Sequence, residues 1–341
     1  MRAFRLRAYA SAESAPLSLV ELPDLAPGPG QVRIDVSVCA ACRTDLHVVE
    51  GELPLRILPI TPGHQIVGRV AALGSGVHGL AVGTRVGVAW LYGTCGTCQF
   101  CLRGAENLCE QAQFTGYTQN GGFAEQMLAR AEFVYRLPDG YADADAAPLL
   151  CAGIIGYRAL ARTGITEWAG ARVGIYGFGA AGHIACQILR ARGAEVYVAT
   201  REAVHRSLAE ELGARWVGST FDAPPRPLDA GVVFAPAGEI VPHALAHLDR
   251  GGHLVLGGIH MSDLPALPYA LLYGERSVCS VANNTRADGQ AFLDEAARIG
   301  LRIHVERFPF EATNEALQAL KGRGVRGAAL VEIGARDTLS P

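Results

Sequence analysis

The stretch ARVGIYGFGAAGHIACQILRAR, residues 171–192, decides the fold. It reads as a short apolar strand over Ala171–Tyr176, a turn Gly177-x-Gly179-x-x-Gly182, and a helix over His183–Arg192. A lone glycine motif of this kind is weak, but here a strand precedes it and a helix follows, which is the required context. The glycines permit a tight turn and let a pyrophosphate approach the helix N-terminus. Outward from it come a strand at Glu195–Ala199, a helix at Glu202–Leu212 ended by Gly213, and strands at Asp229–Phe234 and His253–Gly258. Strand alternating with helix predicts a parallel sheet covered on both faces. The second strand ends Ala199-Thr200-Arg201, where an NAD-type site would offer a carboxylate to the ribose. A hydroxyl beside a guanidinium suits a 2′-phosphate, so the expected cofactor leans to NADP. Arg201 and Arg206 also fit a plain solvated helix start.

The first 150 residues have a different texture. Gln31–Val38 alternates polar and apolar after the loop Pro27-Gly28-Pro29-Gly30, and Ile66–Leu73 and Thr84–Trp90 are further strand candidates. Such short strands with frequent Gly and Pro fit a small barrel. Beyond residue 286 a helix is predicted over Gly289–Ile299 and another over Thr313–Leu320.

Four of the nine cysteines form Cys95-x2-Cys98-x2-Cys101-x7-Cys109. Structural zinc takes four protein ligands in a closed tetrahedron, often four thiolates. The lobe has little core of its own, so a metal must hold it. An iron–sulfur cluster also takes four cysteines, but the ferredoxin run has a tighter last gap and then Pro, where this chain has Glu110. A catalytic zinc instead keeps three protein ligands and an open position. Cys42, His64 and Cys151 are candidates, each weak alone, because a lone buried Cys is usually a small hydrophobe.

Taken together and in order, Cys42–His47, Gly63-His64 through Gly68, Cys95–Cys109, Cys151-Ala152-Gly153-Ile154 and Gly177–Gly182 resemble the zinc-containing alcohol dehydrogenases of the medium-chain dehydrogenase/reductase superfamily. The resemblance covers essentially the whole chain. It implies a mixed α/β fold: a GroES-like β-barrel catalytic domain over 1–152 holding both zincs, a Rossmann domain with a doubly wound parallel sheet over 153–285, and a segment over 286–341 completing the first. It implies catalytic zinc on Cys42, His64 and Cys151, structural zinc on the four clustered cysteines, and Cys39 as core rather than a redox partner of Cys42. Thr44 matches the hydroxyl that binds the substrate oxygen. His47 matches the solvent-side end of a proton relay through the cofactor ribose. Asp45 matches the carboxylate that orients His64, and Arg43 a pyrophosphate contact. Thr44 and Asp45 could equally cap a helix. The implied activity is reversible hydride transfer between an alcohol and NAD(P), in a cleft between the domains.

Three departures from the family pattern stand out. Gln65 replaces the Glu that usually follows the zinc-binding His, which removes a negative charge and makes for a more electrophilic zinc, or is neutral. The Arg that often meets the pyrophosphate from the C-terminal segment is replaced by Gly327-Ala328-Ala329, leaving Arg323 or Arg326 as substitutes. Trp90 matches an aromatic lining the substrate pocket, and Leu53 a position often filled by Trp, so a wider pocket for medium aliphatic or aromatic alcohols is expected. Trp90 could also be ordinary core.

Composition bounds the rest. The chain has 341 residues and a formal net charge of −3, which gives no footprint for nucleic acid or anionic membrane. No apolar run is long enough for a membrane span. Arg2, Arg5 and Arg7 are not followed by the apolar stretch of a signal peptide. The expectation is a cytoplasmic homodimer or homotetramer acting on a small molecule. The rival readings are a polyol or sugar dehydrogenase of the same superfamily, which would need a more polar pocket, and a non-catalytic zinc- and nucleotide-binding redox sensor.

Overall fold

The computed structural model describes residues 1–54, 57–322 and 325–334. The chain divides into two units. One takes Met1–Cys151, Thr285–Asp294 and the described residues from Ile303 on; the other takes Ala152–Asn284 and Glu295–Arg302.

The second unit is built around the quoted stretch. Arg172–Tyr176 pairs in parallel with Glu195–Ala199 on one side and with Leu228–Val233 on the other. The complete six-stranded order is Trp216–Gly218, Glu195–Ala199, Arg172–Tyr176, Leu228–Val233, Leu248–Leu256, Ser277–Ser280, all parallel. In chain order this is 3-2-1-4-5-6, the doubly wound Rossmann arrangement. The strands read as apolar runs because helices cover both faces: Val173, Ile175, Val196, Val198, Val232 and Val233 are all buried. The helix after the glycine turn spans Ala180–Ala191 and buries Ile184, Ala185, Ile188 and Leu189. The expected element positions hold to within a few residues, except that the fifth strand starts at Leu248 rather than His253.

The first unit carries a seven-stranded sheet. Its path is Val305–Pro309, Ala328–Glu332, Gln31–Ala41, Gln65–Leu73, Arg85–Val88, Val134–Arg136, with Gln126–Arg130 also on Gln31–Ala41. All pairs are antiparallel but the first. Val32, Ile34, Val36 and Val38 point inward, as the alternation requires. The strand runs three residues past the expected end. Cys39–Ala41 pair with Ala329–Val331 on one side, and Cys39 and Ala40 with Ile66 and Gln65 on the other. That extension matters: with Ala40 opposite Gln65, Cys42 and His64 emerge side by side from the same end of the ladder. Among the described residues no single helix is long and apolar enough to cross a membrane.

Candidate active site and metal centres

The four clustered cysteines converge. Their Sγ atoms lie within 4.8 Å of one another, with Cys95–Cys101 at 3.9 Å, Cys98–Cys101 at 3.6 Å and Cys95–Cys109 at 3.5 Å. A disulfide needs about 2.05 Å, and none is formed. Four thiolates about 2.3 Å from one zinc stand roughly 3.8 Å apart, so the set fits a single tetrahedral ion. The lobe is tied down by Glu106, between the third and fourth cysteines. Its carboxylate accepts from Arg286 Nη2 at 2.7 Å, from Arg286 Nε at 3.1 Å and from the Arg286 backbone N–H at 2.7 Å. Burial opposes the Glu106 charge, but Arg286 overcomes it and holds the carboxyl below its usual range. The Arg286 guanidinium also lies over the Phe133 ring at 4.4 Å. Sequence reasoning missed this clamp because its partners are 180 residues apart.

The second set is Cys42, His64 and Cys151, whose ligand atoms also lie within 4.8 Å of one another. Cys42 Sγ is 3.4 Å from His64 Nε2, close to the separation that one shared zinc imposes. Cys42 is the N-cap of a helix over Arg43–Glu50 that the sequence reading did not place. Its Sγ accepts from the Thr44 N–H, and Asp45 reaches back to the Cys42 N–H at 2.9 Å. Thr44 is therefore not the cap, whereas Asp45 closes a capping box from the third helical position. The other Asp45 oxygen accepts from His64 Nδ1 at 2.9 Å and from the Gly63 N–H at 3.2 Å. That fixes the His64 tautomer and leaves Nε2 facing Cys42. Cys151 arrives by another route. Arg85 holds the approach, donating to Asp143, Pro138 O and Tyr141 O. Ala147–Leu150, all buried, then pack on the sheet, with Leu150 against Gly87.

The electrostatics suit a cation. Hydrogen bonding from Cys151 holds the Cys42 thiol well below its ordinary range despite burial, while the same contact and burial push Cys151 up. Burial works against charge on His64, but Asp45 and Cys42 outweigh it and raise the ring to about 10. A dication seated among the three residues supplies that positive charge in the proton's place, so its uptake releases protons. Cys39 is wholly buried, with its Sγ toward Ala40 O and its thiol pushed up by burial. It is core.

An aromatic layer flanks this centre. Trp90 meets the His64 ring edge-on at 5.1 Å and stacks on Phe114 at 5.3 Å and on Tyr117 at 5.7 Å. Leu53 and Val48 join the same buried cluster. Trp90 is thus both packed and next to His64; Phe114 and Tyr117 lie just past Cys109 and carried no spacing signal. Gln65 is buried, and its Nε2 donates to Ala40 O at 3.2 Å. A carboxylate could not make that bond, because it only accepts. His47 is just 7% exposed, so it does not itself meet solvent. Its Nδ1 lies 2.5 Å from Glu52 Oε2. Arg43 is exposed.

The glycine turn divides into two kinds of position. Gly177 has φ +92°, and a Cβ there would sit 2.8 Å from Ala235 N, so the protein itself demands glycine. Gly182 is also held by the protein, since its Cβ would be 2.6 Å from Gly177 O. At Gly179 a Cβ would meet no protein atom within 4 Å, and φ is an ordinary −82°. The space above Gly179 and the open helix N-terminus fit a pyrophosphate. Thr200 is buried, with its N–H donating to Gly218 O. Arg201 is 80% exposed and bonded to Glu202, a carboxylate the sequence reading passed over. Arg206 donates to the carbonyls of Thr200 and Arg201. Arg326 is exposed, and Arg323 lies outside the described residues.

Comparison with known proteins agrees with this geometry. Residues 28–139 match the alcohol dehydrogenase GroES-like domain, and residues 180–298 match the zinc-binding dehydrogenase family. The chain is 45% identical over 339 residues to a probable alcohol dehydrogenase AdhA of Mycobacterium tuberculosis, covering 98% of this chain and 97% of that one. It is 35% identical over 325 residues to an alcohol dehydrogenase of Geobacillus stearothermophilus, covering 92% and 94%. Among solved structures, a cinnamyl alcohol dehydrogenase of Sorghum bicolor superposes with a TM-score of 0.89 at 30% identity, covering 100% and 99%.

The two glycines make opposite predictions. Gly177→Ala should cost about 2 kcal/mol or more, from the left-handed backbone and the Ala235 contact, read as a lower urea midpoint. Gly179→Val should leave that midpoint unchanged and weaken dinucleotide binding about tenfold or more, which is ~1.4 kcal/mol, read by titration calorimetry. Parent-like binding by Gly179→Val would contradict the pyrophosphate site.

Proposed function

The chain belongs to the zinc-containing medium-chain alcohol dehydrogenases, and on that premise we propose that it interconverts medium aliphatic or aromatic alcohols with their aldehydes or ketones, using NADP in preference to NAD. The observation that carries the chemistry is the convergence of Cys42, His64 and Cys151 with Asp45 behind His64. Those three residues would hold a zinc ion, which would supply Lewis acidity, and Gly177, Gly179 and Gly182, with Arg43 as the pyrophosphate contact, would hold a nicotinamide cofactor, which would supply hydride exchange. Thr44 takes the proton from the substrate oxygen and His47 carries it outward. The zinc on Cys95, Cys98, Cys101 and Cys109 is structural.

The residues packed beside His64 support that substrate class. Trp90, Phe114, Tyr117 and Leu53 form an apolar surface beside His64. A polyol would leave its hydroxyls unpaired there, which speaks against the sugar dehydrogenase reading. A redox sensor has no use for Thr44 and His47. For the cofactor, the end of Glu195–Ala199 offers Thr200 rather than a carboxylate, with Arg201 and Arg206 next to it. Arg201 is paired with Glu202. For NADP to be preferred, the ribose phosphate, with nearly two negative charges, must draw Arg201 from that single one.

Two further readings complete the proposal. None of the nine cysteines is in a disulfide, and six are read as zinc ligands, which supports a reducing, cytoplasmic setting. Ser277–Ser280 is an edge strand with Leu248–Leu256 on one side only, and Tyr269 and Tyr273 nearby in sequence are 74% and 70% exposed. An unpaired sheet edge is a template for pairing with another chain, which supports a homo-oligomer joined there. Sedimentation velocity showing only monomer at micromolar concentration would contradict this.

An alcohol panel with both cofactors tests the main reading. kcat/KM should be about tenfold or more higher with NADP, ~1.4 kcal/mol of discrimination, and higher for butanol and benzyl alcohol than for ethanol. A tenfold preference for NAD, or a clear preference for ethanol, overturns the corresponding half. Gln65→Glu should move the acid limb of alcohol oxidation to higher pH, because it adds negative charge beside the centre. An unchanged pH profile would show that Gln65 has no electronic role.

A further inference from the structure

His47 is paired with a partly exposed carboxylate. The imidazole is buried, and its Nδ1 lies 2.5 Å from the Glu52 carboxylate, whose side chain is 41% exposed. The chain builds this contact. Gly51 ends the helix Arg43–Glu50 with φ +73°, and its N–H donates to His47 O and Val48 O. The next residue folds back, so that the Glu52 N–H donates to His47 O at 2.9 Å and its carboxylate returns over the ring. Gly51 cannot be replaced cheaply, since a Cβ there would be 2.9 Å from the Tyr9 ring.

The second carboxylate nearby is already committed. Glu50 accepts from Lys321 Nζ at 2.8 Å and from the Ala12 N–H at 2.9 Å. Lys321, the only lysine of the chain, comes from the helix Thr313–Lys321 and also donates to Ser11. Among the described residues, the charged groups seen near the imidazole include Glu52, directly bonded, and Glu50 with its Lys321, beyond which lies Glu13. Lys321 is hydrogen-bonded to Glu50 and acts on Glu52 only through its charge, and Glu50 acts on His47 only through its charge, so the direct partner of the ring is Glu52.

We propose that Glu52 is a positioning residue for proton release, acting through His47. It holds the His47 tautomer with hydrogen on Nδ1. When a proton arrives at Nε2, the Nδ1–H bond breaks, the proton passes to the Glu52 carboxylate, and the ring returns to neutral. The carboxylic acid then loses that proton to water or buffer, and no other species is consumed. Aldehyde reduction runs the same path inward. This inference rests on the reading of His47 as the proton carrier.

The test compares Glu52→Gln, Glu52→Asp and His47→Gln in the zinc-loaded enzyme. Alcohol oxidation by Glu52→Gln should fall about tenfold in kcat near neutral pH, less than the roughly 10²–10⁴-fold of direct general acid–base groups because Glu52 acts through His47, with little change in alcohol KM. Added acetate or imidazole should restore it, the pH dependence should change, and Glu52→Asp should keep most of the activity. A readout independent of turnover is the ¹⁵N spectrum of His47: the Nδ1–H tautomer should dominate in the parent and lose that dominance in Glu52→Gln. If His47→Gln is impaired and buffer-rescued while Glu52→Gln keeps parental kcat, pH profile and tautomer, the role of Glu52 is overturned. If His47→Gln is itself unimpaired, the reading of His47 falls, and the proposal with it. Loss of activity in Glu52→Gln that follows lost zinc or a lower melting midpoint, without buffer rescue, also overturns it.

Discussion

One buried carboxylate holds the active centre together. Asp45 accepts from the Cys42 N–H, the Gly63 N–H and His64 Nδ1. Burial raises its pKa and makes its charge costly. Three hydrogen bonds to a charged group, at about 1.5–3 kcal/mol each, offset a desolvation penalty of several kcal/mol. Each bond also does something specific. The first caps the helix that carries Thr44 and His47. The second pins the loop before His64. The third sets which nitrogen His64 turns toward Cys42.

The sheet makes this possible. The ladder between Gln31–Ala41 and Gln65–Leu73 fixes Ala40 opposite Gln65, and so delivers Cys42 and His64 to one point. Cys151 is brought in by the packed turn Ala147–Leu150. The Cys95–Cys109 lobe is organised differently. Its ligands are local in the chain, and it is anchored through Glu106 and Arg286. One ligand set is thus assembled by long-range strand pairing, while the other comes from a single local segment.

That difference explains what could be read from the sequence. The four-cysteine lobe was legible because its chemistry is written in local spacing. The Rossmann strands were legible because sheets buried on both faces leave apolar runs. The helix Arg43–Glu50 was not, because its cap is Cys42, which lacks the oxygen that capping rules look for; Asp45, read as a possible cap, closes the box from within the helix instead. Glu52 and the aromatic pair Phe114 and Tyr117 were silent for a related reason. Their roles come from a backbone turn at Gly51 and from stacking on Trp90, and neither leaves a periodic mark.

Metal content of an Asp45→Asn variant tests the account most directly. The amide is nearly isosteric but loses the charge and one acceptor position. The parent should carry about two zinc ions per chain, one for each ligand set. The variant should keep the ion of the four-cysteine lobe and bind the other about 10–100-fold more weakly against a competing chelator. Two zinc ions held with parental affinity, or the loss of both together, would contradict the central role of Asp45.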